Sequence, residues 1–176
     1  MKYKTDQERF WAAEFGSNYI DRNQEYTSMI HFLGKIISRT SSIKSVIEFG
    51  CNIGLNLKAL NILLPKCELT GLEINTTACD RLREWKKCNV INESIFNYKG
   101  GKKYDLTMVQ GVLIHINPSM LQNVYEKLYD CSNRYILISE YYNPTPVSID
   151  YRGHSNRLFK RDFAGEMLDR YQDLEL

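Results

Sequence analysis

The sequence has 176 residues, 43% of them hydrophobic, and a net charge of +2, which suits one domain with its own core and shows no break that would divide it. Lysines and arginines are spread along the chain rather than clustered, which argues against nucleic acid as an obligate partner. The apolar runs are only strand-sized and Met1-Lys2-Tyr3-Lys4 is followed by no hydrophobic segment, so a soluble, cytoplasmic protein with no membrane partner is expected.

From the N-terminus, Thr5-Asp6-Gln7-Glu8 has the form of a capping box, predicting a short helix through Phe10 to Glu14 that stops near Gly16. Met29, Ile30, Leu33, Ile36 and Ile37 recur at helical spacing and predict a second helix from about Asn23 to Ser38, with an apolar stripe that must cover a sheet. Beyond the polar stretch Arg39 to Ser42 the pattern alternates. Strands are predicted at Ser45 to Phe49, Glu68 to Ile74, Val90 to Ser94, Asp105 to Gln110 and Tyr135 to Glu140, with helices at Leu55 to Leu64, Thr76 to Lys87 and Pro118 to Cys131. Asn117-Pro118 supplies an N-cap and a first-turn proline for the last of these. Strands separated by helices imply right-handed crossovers, and so a doubly wound α/β domain with a mostly parallel sheet.

After Glu140 the alternation lapses. Tyr141 to Pro146 reads as irregular, Tyr151 to Lys160 as part of a long polar and basic loop, Arg161 to Tyr171 as a helix, and Asp173 to Leu176 as the start of a strand. By this pattern residues 1–40 form a helical cover, 44–141 the alternating core, and 142–176 a long loop with a terminal helix.

Five cysteines, at 51, 67, 79, 88 and 131, form no Cys-x-x-Cys pair and are odd in number, so reduced thiols are expected. His31, His115 and His154 make no metal-binding pattern, and no metal is expected.

The informative segment is Glu48-Phe49-Gly50-Cys51-Asn52-Ile53-Gly54, a strand end running into a glycine turn. In a parallel sheet, ligands bind at the carboxyl ends of the strands beside the reversal of strand order, and glycines let the backbone approach them. The spacing is not the Gly-x-Gly-x-x-Gly of a dinucleotide binder, and Glu48 would face a pyrophosphate as a like charge. An ammonium and a sulfonium would be favoured by the same acid. Glu73, ending the second strand, is placed to accept from both ribose hydroxyls, which suits S-adenosylmethionine and NAD alike. Taken singly, Gly50 and Gly54 could be plain turn residues and the two acids solvated strand ends.

These segments, with Tyr104 to Ile116, resemble the successive motifs of class I S-adenosylmethionine-dependent methyltransferases. More narrowly, Gln7 to Gly16 with Tyr19-Ile20 and Arg22-Asn23, and Glu140 to Pro146 with Tyr151 to His154, resemble the pseudaminic acid biosynthesis-associated methylases. The resemblance implies a Rossmann-like methyltransferase fold with S-adenosylmethionine as cofactor. It places the methionine part against Gly50, Cys51, Asn52 and Gly54, the ribose on Glu73 beside Ile74, the adenine along Glu93, Ser94 and Ile95, and the methyl side at Gln110 and Gly111. Relatives commonly carry Asp where this chain has Ser94, so the adenine amine would meet Glu93 or backbone. Such enzymes usually finish with an antiparallel strand pair beside the fifth strand. Here at most one can start near Leu174, so either the sequence stops short of that pair or another subunit covers the open sheet edge as a homo-oligomer. By the same resemblance the acceptor is a small molecule, an amino sugar or nonulosonate-related compound.

A bound sulfonium already activates the methyl group, so the protein must align a nucleophile, exclude water and, for a hydroxyl or ammonium acceptor, remove a proton. By position the bases are His115, Tyr142 and His154. His115 could equally serve only to satisfy backbone groups among Leu113, Ile114 and Ile116, and His154 could lie in a solvated loop. Trp11 and Tyr19 could close over the cofactor or simply pad the core. Arg152, Arg157, Lys160 and Arg161 could hold an anionic sugar. Two rival readings are a nicotinamide-dependent oxidoreductase and a module that binds S-adenosylmethionine without transferring a methyl group.

Overall fold

The computed structural model describes residues 3–22 and 24–176. Met1, Lys2 and the expected helix start at Asn23 lie outside them.

The chain opens with helices α1 (Asp6–Ala12), α2 (Glu14–Arg22) and α3 (Thr27–Ile37). The capping box forms, with Thr5 accepting from the Glu8 amide and Glu8 reaching back to the Thr5 amide. The helix expected to stop near Gly16 instead breaks at Ala13 and restarts as α2. Gly16 lies inside α2 because a Cβ there would come within 1.9 Å of the Trp11 carbonyl oxygen. It permits the two helices to touch rather than ending one of them.

Five strands follow: β1 (Ser45–Phe49), β2 (Glu68–Glu73), β3 (Asn89–Asn92), β4 (Tyr104–Gln110) and β5 (Ser132–Ser139). They form one parallel sheet in the order β3-β2-β1-β4-β5, with the reversal of strand order between β1 and β4. The crossovers run through α4 (Leu55–Leu63), α5 (Thr76–Glu84) and α6 (Leu121–Cys131); α6 is entered through a 3₁₀ turn, Pro118–Met120, where a continuous helix was expected.

Side chains of each strand alternate between two cores. Ile47, Phe49 and Val109 pack with Val124, Tyr125 and Leu128 of α6, while Val46, Leu106 and Met108 pack with Leu33 of α3 and Leu57 and Leu60 of α4. Burial at such positions contributes about 1.5–3 kcal/mol per side chain. Truncating Leu128, fully buried on α6, would cost about 2–5 kcal/mol.

The segment expected as a long loop folds as an antiparallel hairpin, β6 (Val147–Tyr151) and β7 (His154–Lys160), turning at Arg152 and Gly153 with φ of 51° and 81°. The hairpin is a separate two-stranded sheet, not a pair inserted beside β5. Helix α7 (Phe163–Arg170) follows, and the strand expected at Asp173 to Leu176 does not form. Among the described residues no helix is long and apolar enough to cross a membrane, and all five cysteines are free thiols.

Candidate active site

A cavity of about 630 Å³ opens at the carboxyl ends of the strands, beside the β1/β4 reversal. Its floor comes from Glu48, from the turn Gly50 to Asn52, from Glu73 to Asn75, from Ser94 to Phe96, from Gln110 to Val112, and from Ser139 and Glu140 at the end of β5. Its roof is Thr5, Gln7, Glu8 and Trp11 of the first helix, Gly16 and Tyr19 of α2, and Tyr151 of the hairpin.

The turn after β1 is set by backbone geometry. Gly50, Asn52 and Gly54 all have positive φ, the Gly50 and Cys51 amides donate to the Leu72 carbonyl, and the Asn52 amide donates to Glu73 Oε2 at 2.8 Å. The other Glu73 oxygen accepts from the Asn75 amide at 2.7 Å. Glu73 is only 8% exposed; burial raises its pKa and these amide bonds oppose the rise. Its carboxylate is therefore fixed in place, with lone pairs left for a further donor.

Glu48 is 2% exposed. Its Oε1 accepts from Asn56 Nδ2 at 2.7 Å, while Oε2 is shut off from solvent with no partner among the described residues. Burial, with a small contribution from the Glu73 charge, pushes its pKa up to about 8. Glu140 shows the same asymmetry. Oε1 accepts from the Val112 and Leu113 amides at 2.8 and 2.9 Å, Oε2 has no partner, and burial lifts the carboxyl to about 7. Gln7 Oε1, Asn56 Oδ1, Gln110 Oε1 and Trp11 Nε1 are further buried polar atoms without partners, all on cavity-lining residues. Five of these six orphaned atoms are acceptors. Among the described residues the wall carries glutamates at 8, 25, 48, 73 and 140 and no lysine or arginine. Such a cavity solvates cations and hydrogen-bond donors and repels phosphates.

The roof is stitched to the floor. Glu8 Oε1 accepts from Ser94 Oγ, Lys4 Nζ donates to the Phe96 carbonyl at 3.1 Å, and Asn75 Nδ2 donates to the Trp11 carbonyl at 3.1 Å and to Ser17 Oγ at 3.2 Å. Asn75 also caps α5 by accepting from the Ala78 amide. From β7, the Asn156 carbonyl accepts from Gln7 Nε2 at 3.0 Å and the next carbonyl, of Arg157, lies 2.5 Å from His115 Nδ1. Asn156 has φ of 56°, a left-handed conformation inside a strand.

His115 sits in the 3₁₀ turn Leu113–His115, with Trp11 and Tyr151 rings at 4.6 and 4.8 Å. A carbonyl at Nδ1 requires that nitrogen to carry the proton, which leaves Nε2 as an unprotonated acceptor. Burial lowers the His115 pKa to about 4, only partly offset by the Arg157 carbonyl. The ring is thus neutral near neutral pH.

The structure brings Trp11, Tyr19, Glu48, Gly50, Cys51, Asn52, Glu73, Ile74, Ser94, Ile95, Gln110, Gly111 and His115 into one wall. Gly54, Glu93, Tyr142 and His154, expected there, do not line it. At Gly54 a Cβ would meet Leu82 at 2.5 Å, so its role is to pack the turn on α5. The Glu93 amide continues the β2–β3 pairing by donating to the Glu73 carbonyl, Tyr142 is 63% exposed, and His154 packs its ring on Phe10 and Phe15. Arg152, Arg157, Lys160 and Arg161 also stand outside the wall; Arg161 pairs with Glu166 at 2.5 Å and Arg157 lies over Phe10. Glu8, Asn56, Glu140 and Tyr151 were not anticipated. Glu140 could have been found as the acid ending the fifth strand, the position Glu48 and Glu73 hold on the first and second.

No family model matches the chain, and no curated protein does. Solved structures do. The plantazolicin methyltransferase BpumL, in complex with a monoazolic desmethylPZN analog and SAH, matches at 22% identity with a TM-score of 0.61 over 77% of this chain and 57% of its own. The sugar N-methyltransferase KedS8 from Streptoalloteichus matches at 13% identity and 0.62, over 87% of this chain and 65% of its own. Coclaurine N-methyltransferase, bound to N-methylheliamine and SAH, matches at 14% and 0.67, over 87% of this chain and 49% of its own. The chain has the class I methyltransferase fold. It spans only about half to two thirds of the length of these structures.

Proposed function

We propose that this protein is an S-adenosylmethionine-dependent methyltransferase acting on a small-molecule acceptor of amino-sugar or nonulosonate-related type, in the cytoplasm. The observation that carries it is the pairing of Glu73, held by two backbone amides, with the buried, half-partnered Glu48 in a cavity whose wall, among the described residues, has no lysine or arginine.

The residues fit the cofactor. Glu73 is aimed for two ribose hydroxyls, the Gly50 to Asn52 turn leaves room for backbone contact, and the orphaned Glu48 Oε2 suits an ammonium. Ser94 is engaged by Glu8, so an adenine edge beside Ser94 and Ile95 meets the Glu8 carboxylate or backbone rather than a dedicated acid on β3. When bound, S-adenosylmethionine supplies a methyl group activated by its sulfonium. The chain's own contribution is to orient the acceptor at Gln110 and Gly111, to exclude water beneath Trp11 and Tyr19, and to receive a proton at His115 Nε2. A nicotinamide dinucleotide would set its pyrophosphate beside Glu73 in a wall where the described residues offer no lysine or arginine, at a cost that a partly desolvated cleft makes large.

The test is calorimetric titration with S-adenosylmethionine, its demethylated product and NAD, followed by a labelled-methyl transfer assay. Tight binding of the first two with transfer is expected. Binding of NAD alone overturns the reading, and binding without transfer to any acceptor reduces it to a binding module.

A further inference from the structure

We propose that the acceptor nitrogen is an amine that arrives protonated, is held as an ammonium by Glu140 and gives its proton to His115; this rests on the methyltransferase reading above. Both residues belong to one small unit. Glu140 holds the Val112 and Leu113 amides, and the turn those amides begin ends at His115, whose own amide donates back to the Val112 carbonyl. The two functional atoms, Glu140 Oε2 and His115 Nε2, are the ones this arrangement leaves over, and both residues line the cavity. Trp11 and Tyr151 flank the imidazole, and Tyr141 follows Glu140 in the wall, so an incoming cation meets aromatic faces and a carboxylate.

The chemistry discriminates against other acceptors. A carboxylate acceptor would enter against the Glu140 charge, with no lysine or arginine among the described residues of the wall to offset it. A hydroxyl holds its proton far more tightly than an ammonium does, and among the described residues no lysine or arginine of the wall would steady the resulting alkoxide. An ammonium is matched. Its proton passes to His115 Nε2, and the freed nitrogen lone pair forms the new N–C bond to the methyl of the sulfonium donor. The C–S bond breaks with its electron pair remaining on sulfur, and the imidazolium returns its proton to solvent. The product is a methylammonium, a neutral thioether and one released proton.

The experiment uses the full chain with labelled S-adenosylmethionine and a matched panel: glucosamine, N-acetylglucosamine, glucose, glucuronate and a 4-amino-4-deoxyhexose. Label on the free amines and none on the acetylated, hydroxyl or acid analogues is expected. Label on oxygen, or on none of the amines while the donor binds, overturns the amine assignment and leaves the methyltransferase reading standing. Failure of the donor to bind removes both. Glu140→Gln should raise the amine KM by about 10- to 100-fold with donor affinity unchanged, the loss expected for a charged hydrogen bond. His115→Gln should lower kcat, with the loss partly recovered as pH rises and more amine enters unprotonated. Unchanged KM in the first variant, or a parallel loss of donor affinity in both, refutes the assigned roles.

Discussion

The floor and the roof of the cavity are built by different physics. The floor is a set of strand ends whose positions follow from a packed parallel sheet, with Ile47, Phe49, Leu72 and Met108 fully buried just behind the polar atoms that face the ligand. The roof is short helices and a mostly exposed hairpin, held by hydrogen bonds at Glu8, Asn75, Gln7 and His115 and by ring contacts of Phe10, Trp11 and Phe15 with Tyr151 and His154. A cavity assembled this way has a rigid floor and a roof that rests more on local contacts of low stability, the usual origin of parts that open.

The comparison can be broken first at Glu73. Glu73→Ala should reduce affinity for S-adenosylmethionine by about 100-fold or more, since two charge-assisted bonds are lost at once, while far-ultraviolet dichroism is retained. A calorimetric titration matching the parent would show that the floor carboxylate does not hold the cofactor. Next is Glu48. A carboxyl whose pKa rises from 4.5 to about 8 on folding carries no penalty below 4.5, and its cost accumulates up to about pH 8. Glu48→Gln should therefore raise the ligand-free melting midpoint by about 5 °C or more near pH 8, and by little near pH 4.5. A gap between variant and parent that does not widen with pH refutes the sign.

Asn75→Ala tests the seam between the halves. Loss of the α5 cap together with the bonds to Trp11 and Ser17 should lower the midpoint by about 4–8 °C and speed proteolysis within the first 25 residues. If cleavage there is unchanged, the roof is held elsewhere. Smallest of all, Arg81→Ala, which removes the exposed pair with Asp21 on the roof's outer side, should shift the midpoint by about 1 °C or less.

The two halves were also unequally legible. Strands β1 to β4 fall within two residues of their expected limits, since buried parallel strands write themselves as apolar runs, and Glu48, Glu73 and Gln110 stand where those runs end. The roof has no such signature. Gly16 looked like a helix stop because a glycine that permits contact and one that ends a helix are the same letter. The hairpin looked like a loop because Pro144, Pro146 and the charges at 150, 152 and 157 mask the alternation Val147, Ile149, Tyr151, most of which faces solvent. Arg152-Gly153 was the turn signal that could have exposed it. His154 drew notice as the histidine in that stretch, yet the hairpin points it at Phe10 and Phe15 and gives the cavity Tyr151 instead.

One detail of β7 reaches further than its size. In a regular strand successive carbonyls point opposite ways, yet in β7, next to the left-handed residue Asn156, two neighbouring ones serve the same cavity, the first gripping Gln7 on the roof and the second setting the tautomer of His115. Roof and imidazole therefore hang from two consecutive peptide units, on either side of Arg157. Whatever lifts that pair loosens the roof and frees the imidazole in the same motion, so a cavity that opens there also loses the fixed tautomer of His115.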